Sequence, residues 1–305
     1  MSIPLGTLLA VALIASLGAP ARALTLVDDG KAVASIIVAA QPDEKARLAA
    51  EELQAYLLRI SGVELPMATD AAPPTGPLVL VGRSALTDAM DIDIPAGLTN
   101  SRREDGFLIH CEGDRLVLAG NDAGPYHGTE YAVYELLKRL GARWFMPGEY
   151  GEYVPESATI SVPQIDLRET PDFIMRNWWV HAKPELVEPE RRWKIRNKMT
   201  PDVLFAIPGD SSVRNVLPSD EDFSAHPEYF ALNQDGTRNR HHPNLTNPRT
   251  IEIAAERISE QLRQDPDAHS YGFAPDDGLP RDFSPDTLEL SQGFFDAAAV
   301  HGDVP

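Results

Sequence analysis

From Leu24 to Pro163 the chain alternates short apolar runs of strand length with stretches whose apolar residues recur at helical spacing. A short, bounded apolar run buries as a strand, and a 3.6-residue period buries one face of a helix. Alternation of the two points to an α/β layer structure. Ala34–Ala39 and Leu78–Gly82 read as buried strands. Between them Ala46, Ala49, Leu53, Leu57 and Ile60 line one helix face, with Asp43 and Glu44 in the first turn and Gly62 past the last. Phe107–Cys111 and Arg115–Ala119 are two β-type runs joined by Glu-Gly-Asp, a hairpin signal. Gly120–Gly124 reads as a turn before a helix. A second amphipathic helix carries Thr129, Val133, Leu136, Leu137 and Leu140, with Gly141 as its stop. Arg143–Met146 and Ala158–Val162 close an α/β unit of ordinary size.

Pro163–Pro171 is the expected boundary, giving domains 24–163 and 164–305. Beyond it, strand readings fall at Phe173–Val180, Val203–Ile207, Tyr229–Leu232 and Ser270–Ala274. Leu186–Met199 is a charged helical stretch interrupted by Pro189. Ile251, Ala254, Ile258 and Leu262 mark a helix that begins near Asn247-Pro248. Thr287–Val300 is mostly helix-compatible. Strands alternating with helices suggest βα units around a parallel sheet.

Charge narrows the function. The chain has 27 Lys and Arg against 46 Asp and Glu, a net charge of −19. Residues 24–163 carry 11 basic and 21 acidic residues, residues 164–305 carry 15 and 25, so neither half is a basic module. An acidic chain has no electrostatic reason to bind a phosphate backbone, and nucleic acid is not expected as a partner. The local basic run around Arg191, Arg192, Lys194 and Arg196 reads as a solvated helix face. One cysteine, Cys111, excludes an internal disulfide framework and a thiolate-only zinc site.

Residues 2–21 carry no charge and Leu8–Leu17 is mostly aliphatic. Ala21-x-Ala23 fits a signal-peptidase site, so residues 1–23 read as a signal peptide. The apolar run is shorter than the roughly 20 residues that span a bilayer. The expectation is a periplasmic or extracellular bacterial protein with no membrane attachment after cleavage.

No metalloprotease helix motif, phosphate loop or nucleophile elbow is present. His226, His241 and His242 lack a carboxylate partner set, so no metal and no cofactor are expected. Asp276 and Asp277 directly follow a strand, where parallel α/β folds place reactive groups. Two carboxylates there can supply a general acid and a stabilising charge. Asp276-Asp277-Gly278 is equally ordinary turn chemistry. Arg176, Trp178 and Trp179 end another strand run. Aromatic faces stack on sugar rings and Arg donates to hydroxyls or a carboxylate, while core packing explains two Trp as well.

Several segments resemble known families. Ala49–Leu57 with Ile60-Ser-Gly62, Val81-Gly-Arg83, Asp105–Ile109, Leu118–Gly124, the Tyr131–Leu140 helix, Gly141–Pro147 and Gly151–Pro155 resemble the N-terminal domain of microbial α-glucuronidases and the similar β-hexosaminidase accessory domain. Arg191–Met199, His226–Leu232, Asp235–Arg238, Asn244–Pro248 and Ala274–Gly278 resemble a secreted bacterial family of unknown function that carries this domain before a TIM-like barrel. The resemblance implies an α/β fold with a β-hexosaminidase-like accessory domain followed by a partial (β/α) TIM-type barrel, and carbohydrate as the substrate class. It places Arg176 at the end of the first barrel strand, where β-hexosaminidases hold the sugar. Counting the four strand runs as successive barrel strands puts Asp276-Asp277 where those enzymes carry an acidic pair, although here the pair is Asp-Asp, not Asp-Glu. Thr246 replaces a usual cysteine, and the cysteine cluster usual after the pair is absent.

The implied activity is acid-assisted glycoside hydrolysis, with Asp276 as proton donor and Asp277 orienting substrate or stabilising charge. Arg176, Trp178, Trp179, Asn197, His226, Tyr229 and Asn244 are the sugar-contact candidates. The alternatives are a non-catalytic carbohydrate-binding surface protein and an inactive fragment. A full barrel takes about 250 residues, and 142 follow Pro163. The expectation is therefore half a barrel, completed by further chain or by association.

Overall fold

The computed structural model describes residues 23–178, 183–207, 220–273 and 281–291. The chain forms two compact units that divide between Asp202 and Val203.

The first unit is built on a six-stranded mixed sheet. Its strand order is Ile165–Glu169, Phe107–Glu112, Arg115–Gly120, Leu78–Val81, Ser35–Val38 and Met67–Thr69. The last four strands are mutually parallel, and the Phe107–Gly120 hairpin and the Ile165–Glu169 edge are antiparallel. Successive side chains leave opposite faces of a strand. Ile36, Val38, Val79, Val81, Ile109 and Leu118 accordingly pack with the helices in the main core. Ile37, Leu78, Leu80, Leu108 and Val117 form a second cluster on the other face, closed by Ile94.

The two helices expected on this domain are present as Glu44–Ser61 and Gly128–Arg139. The first is delimited by local chemistry. The Asp43 side chain accepts from Lys45 N at 2.9 Å, and Gly62 at φ 75° returns its N–H to the Leu58 carbonyl at 2.7 Å. All five residues of the expected apolar stripe are buried.

The unit runs past Pro163. Ile165–Glu169 is the edge strand of the sheet, in register with Phe107–Cys111. Helix Val187–Arg196 then places Trp193 and Ile195 in the same core. Pro189 does not interrupt this helix. It lies in the first turn, where no intrahelical N–H bond is required. The basic run is likewise not a merely solvated face. Arg192 and Arg196 each reach Glu52 at 3.1 Å, and Lys194 pairs with Glu190 at 2.7 Å with both side chains nearly buried. Trp193 donates its indole N–H to the Trp144 carbonyl at 3.0 Å.

In the second unit Ala206–Ile207 and Ser270–Tyr271 pair in parallel. Helix Pro248–Gln264 precedes the second of these strands, and its Ala254 and Ile258 pack with Tyr271. Asn247 caps it by accepting from Arg249 N at 2.9 Å, with Pro248 at the first helical position, as the sequence led us to expect. Two of the strand readings need correction. No strand covers 173–178. Phe230–Leu232 does not join the parallel pair but forms an antiparallel hairpin with Arg238–Pro243. The cause is the turn between them: Gly236 at φ 84° and the Asp235 carboxylate, which accepts from the Thr237 N–H and hydroxyl, fold the chain straight back. The fold class is α/β, and among the described residues no sheet closes into a barrel.

Candidate functional site

Three of the sugar-contact candidates lie in the first unit. Arg176 is held at every nitrogen. Nη2 donates to Asp105 Oδ2, Nε to the Lys198 carbonyl at 2.9 Å and Nη1 to the Phe173 carbonyl at 3.0 Å, and the guanidinium lies 5.7 Å from the Tyr131 ring centroid. Asn197 spends its amide on the Trp144 and Trp193 carbonyls at the end of helix Val187–Arg196. Trp178 remains 59% exposed, with its ring 5.9 Å from that of Trp193. Trp179 lies outside the described residues.

Beside Arg176, Lys198 sits at φ 58° and bridges Glu135 Oε2 at 2.7 Å and Glu169 Oε2 at 2.9 Å. Burial opposes charge on Glu135 and Lys198. The Lys198 hydrogen bond nevertheless holds the Glu135 carboxyl below its usual range, and the two carboxylates hold the Lys198 ammonium above its own. The cluster is a structural ion network between the sheet edge and the second half of the unit.

His226, Tyr229 and Asn244 lie in the second unit. The His226 ring stacks on Tyr229 at 4.6 Å and its Nδ1 meets Glu228 at 3.0 Å. Asn244 is buried and closes a turn: its Oδ1 accepts from Thr246 N, Thr246 Oγ1 and Asn247 N at 2.9, 2.7 and 3.1 Å. Its N–H also bonds the Tyr229 carbonyl. These three residues therefore meet around the turn that launches helix Pro248–Gln264. Asp276 and Asp277 lie outside the described residues. The strand that leads to them is in place. Its parallel partner runs in the same direction, so both carboxyl ends open on one edge of the pair. Among the described residues no group of three His, Cys, Asp or Glu side chains is arranged for a metal ion.

The sequence reading missed one constellation. Glu44, Lys45, Leu48, His127, Glu130, Glu188, Arg191, Arg192 and Ile195 surround a cavity of about 270 Å³ in the first unit. His127 precedes helix Gly128–Arg139, and Glu130 sits in its first turn, where the helix dipole favours a carboxylate. Their side chains are each 7% exposed, and His127 Nδ1 meets Glu130 Oε2 at 2.5 Å. The signal in the sequence was the three-residue spacing of His127 and Glu130 at a helix start.

The loop before this helix is fixed from below. Lys45 Nζ donates to the carbonyls of Asp122, Gly124 and Tyr126 at 2.9, 2.7 and 2.6 Å. Asp122 in turn accepts from Thr129 N at 3.0 Å and Thr129 Oγ1 at 2.6 Å. Burial pushes the Asp122 carboxyl up from 3.8 to about 6, against those two hydrogen bonds. A raised folded pKa means the native state holds the proton more tightly than the unfolded state. The Asp122 contribution to stability is therefore full below pH 3.8 and is lost as pH rises through about 6. Urea unfolding followed between those pH values should show this falling component in the natural protein and not in Asp122→Asn. Parallel pH profiles for the two proteins would contradict it.

No curated protein matches the chain. Among solved structures it is similar to a family GH115 4-O-methyl-α-glucuronidase, BtGH115A, with specificity for decorated arabinogalactans. The identity is 11%, covering 90% of this chain and 39% of that one, with a TM-score of 0.47. It is also similar to the chitobiase FjGH20 of Flavobacterium johnsoniae, at 11% identity over 90% of this chain and 46% of that one, with a TM-score of 0.34. A third is CpGH84D, at 12% identity, 88% and 44% coverage and a TM-score of 0.36. The chain spans less than half the length of each. Residues 146–279 match the family model described as a domain of unknown function, DUF4838.

Proposed function

We propose that this chain belongs to an exported bacterial protein of glycoside-hydrolase type that acts on polysaccharide or oligosaccharide. The reaction is acid-assisted cleavage of a glycosidic bond at the carboxyl edge of the parallel strands in the second unit. One observation carries this reading: Ala206–Ile207 and Ser270–Tyr271 are adjacent and parallel, with helix Pro248–Gln264 before the second strand. Parallel βα units bind and react at their carboxyl edge because the loops there converge and the strand ends are free. The chain that leaves Tyr271 on that edge carries Asp276 and Asp277 within a few residues.

In this reading Asp276 donates a proton to the leaving oxygen. Asp277 orients the substrate or balances the positive charge that develops on the sugar. On the first unit, taken by itself, the largely exposed Trp178 offers an aromatic face on which a sugar ring can stack. Export rests on the charge-free, aliphatic leader with Ala21-x-Ala23 at its end. Arg176 and Asn197 are already committed to protein partners, so the sugar contacts fall to other groups.

The test is Asp276→Asn in the full-length secreted protein, read on a panel of chromogenic glycosides with far-UV circular dichroism as the folding control. Losing a general acid lowers turnover by about a hundredfold or more. Unchanged release removes Asp276 from the mechanism. Glycan binding with no release by the natural protein would favour a carbohydrate-binding role instead.

A further inference from the structure

We infer that the cavity around His127 in the first unit is a binding site for one uncharged sugar ring, separate from any chemistry in the second unit. The His127 ring is 7% exposed and lines the cavity, and its Nδ1 is taken by Glu130. Among the described residues Nε2 has no hydrogen-bond partner. A carboxylate accepts hydrogen bonds and cannot donate them, so Nδ1 carries a proton toward Glu130. Nε2 is the free polar edge of the ring, held in one orientation by a buried carboxylate. A fixed ring nitrogen of this kind suits a ligand hydroxyl, which can both donate and accept.

The rest of the lining decides the ligand class. Lys45, Arg191 and Arg192 are balanced by Glu44, Glu130 and Glu188. An anion would face three carboxylates and a cation would face three basic groups, so neither is favoured. Lys45 is spent on three backbone carbonyls, and Arg192 on Glu52 at 3.1 Å and Glu188 at 3.6 Å. Arg191 has one distant ionic contact, Asp202 at 3.9 Å, and is the donor with most capacity left. Glu44 offers an acceptor near the start of helix Glu44–Ser61. Leu48 and Ile195 supply an apolar surface. A lining that combines donors and acceptors with aliphatic carbon matches a pyranose, which is polar at its rim and apolar on its face. About 270 Å³ accommodates a single ring.

The test is carbon–proton correlation NMR of the histidine side chains in the mature protein, titrated with the methyl pyranosides of glucose, galactose, mannose and N-acetylglucosamine. Sodium glucuronate and inorganic phosphate are the charged probes. At least one neutral glycoside should move the His127 ring signals saturably, and the charged probes should not. Arg191→Ala, a half-exposed position, should weaken that binding by about tenfold, the effect of one hydrogen bond from a charged donor. Leu48→Trp fills the cavity and should abolish the shift. Where that variant does not fold, Arg191→Ala carries the test. Unmoved His127 signals with every neutral glycoside would overturn the site. So would stronger perturbation by phosphate or glucuronate, or binding unaffected by Arg191→Ala. The readout is binding to the first unit, so it stands or falls apart from glycoside release.

Discussion

Gly128→Ala should destabilise the first unit by about 3 kcal/mol or more, lowering its melting temperature by roughly 6–12 °C. Three backbone segments meet at this point. Gly128 N donates to the Asn121 carbonyl at 2.9 Å, and Asn121 N donates to the Gly106 carbonyl at 2.9 Å. Gly128 is the first residue of its helix, so these bonds dock the helix start onto the end of strand Arg115–Gly120. A methyl group at Gly128 would overlap Asn121 N and the Gly106 carbonyl oxygen, which are backbone atoms tied to each other. Neither can turn aside as a side chain end would. Relief requires the helix to lift off the sheet, which opens the core around Tyr131, Val133 and Leu137. Gly113→Ala is the control. It sits at φ 60° with open space around it and should lose only about 1 kcal/mol through backbone strain. The comparison is a pair of thermal or urea unfolding curves on the whole chain. A Gly128→Ala loss no larger than the control would show that the three segments separate freely.

What the sequence made legible follows from how local each cause is. Helix Glu44–Ser61 is written in neighbouring residues: Asp43 before it, an apolar stripe along it, Gly62 after it. The Phe107–Gly120 hairpin is written in two apolar runs and a tight connection. The boundary after Pro163 was misplaced for the opposite reason. Whether Ile165–Glu169 ends the first sheet or starts something new depends on its pairing with Phe107–Cys111, more than fifty residues away. Pro189 looked like a helix breaker because its place within the first turn is fixed by where the helix starts. Phe230–Leu232 looked like a barrel strand because an apolar run does not announce its partner, and the turn chemistry of Asp235-Gly236 went unread. The His127–Glu130 pair shows the same divide. Its spacing is local, but the cavity is lined as well by Arg191 and Ile195, far along the chain.

Arg176→Met should lower the stability of the ligand-free protein by about 3–5 kcal/mol, the loss expected when one partner of a buried ion pair is removed. Asp105 has a side chain only 2% exposed, and Arg176 is its sole ion-pair partner among the described residues. Its other oxygen accepts from His127 N at 3.2 Å. Without the guanidinium, a carboxylate remains in the core with one backbone N–H to satisfy it. The carbonyls of Lys198 and Phe173 lose their donors as well. Met keeps most of the side chain's length and apolar stem, so the loss reports charge and hydrogen bonding and not an empty space. Arg176→Lys should recover only part of it, since one ammonium cannot reach Asp105 and both carbonyls in the fork geometry. Asp105→Asn combined with Arg176→Met should be more stable than Arg176→Met alone, because no buried charge is then left unpaired. A residue that serves only to hold a sugar behaves differently: its removal weakens ligand binding and leaves unfolding of the free protein unchanged. Urea denaturation of the three variants without any glycan therefore separates the two roles. An unaltered midpoint for Arg176→Met would return Arg176 to the ligand, and a large shift rescued by Asp105→Asn fixes it as the bolt between the first sheet and the segment that follows it.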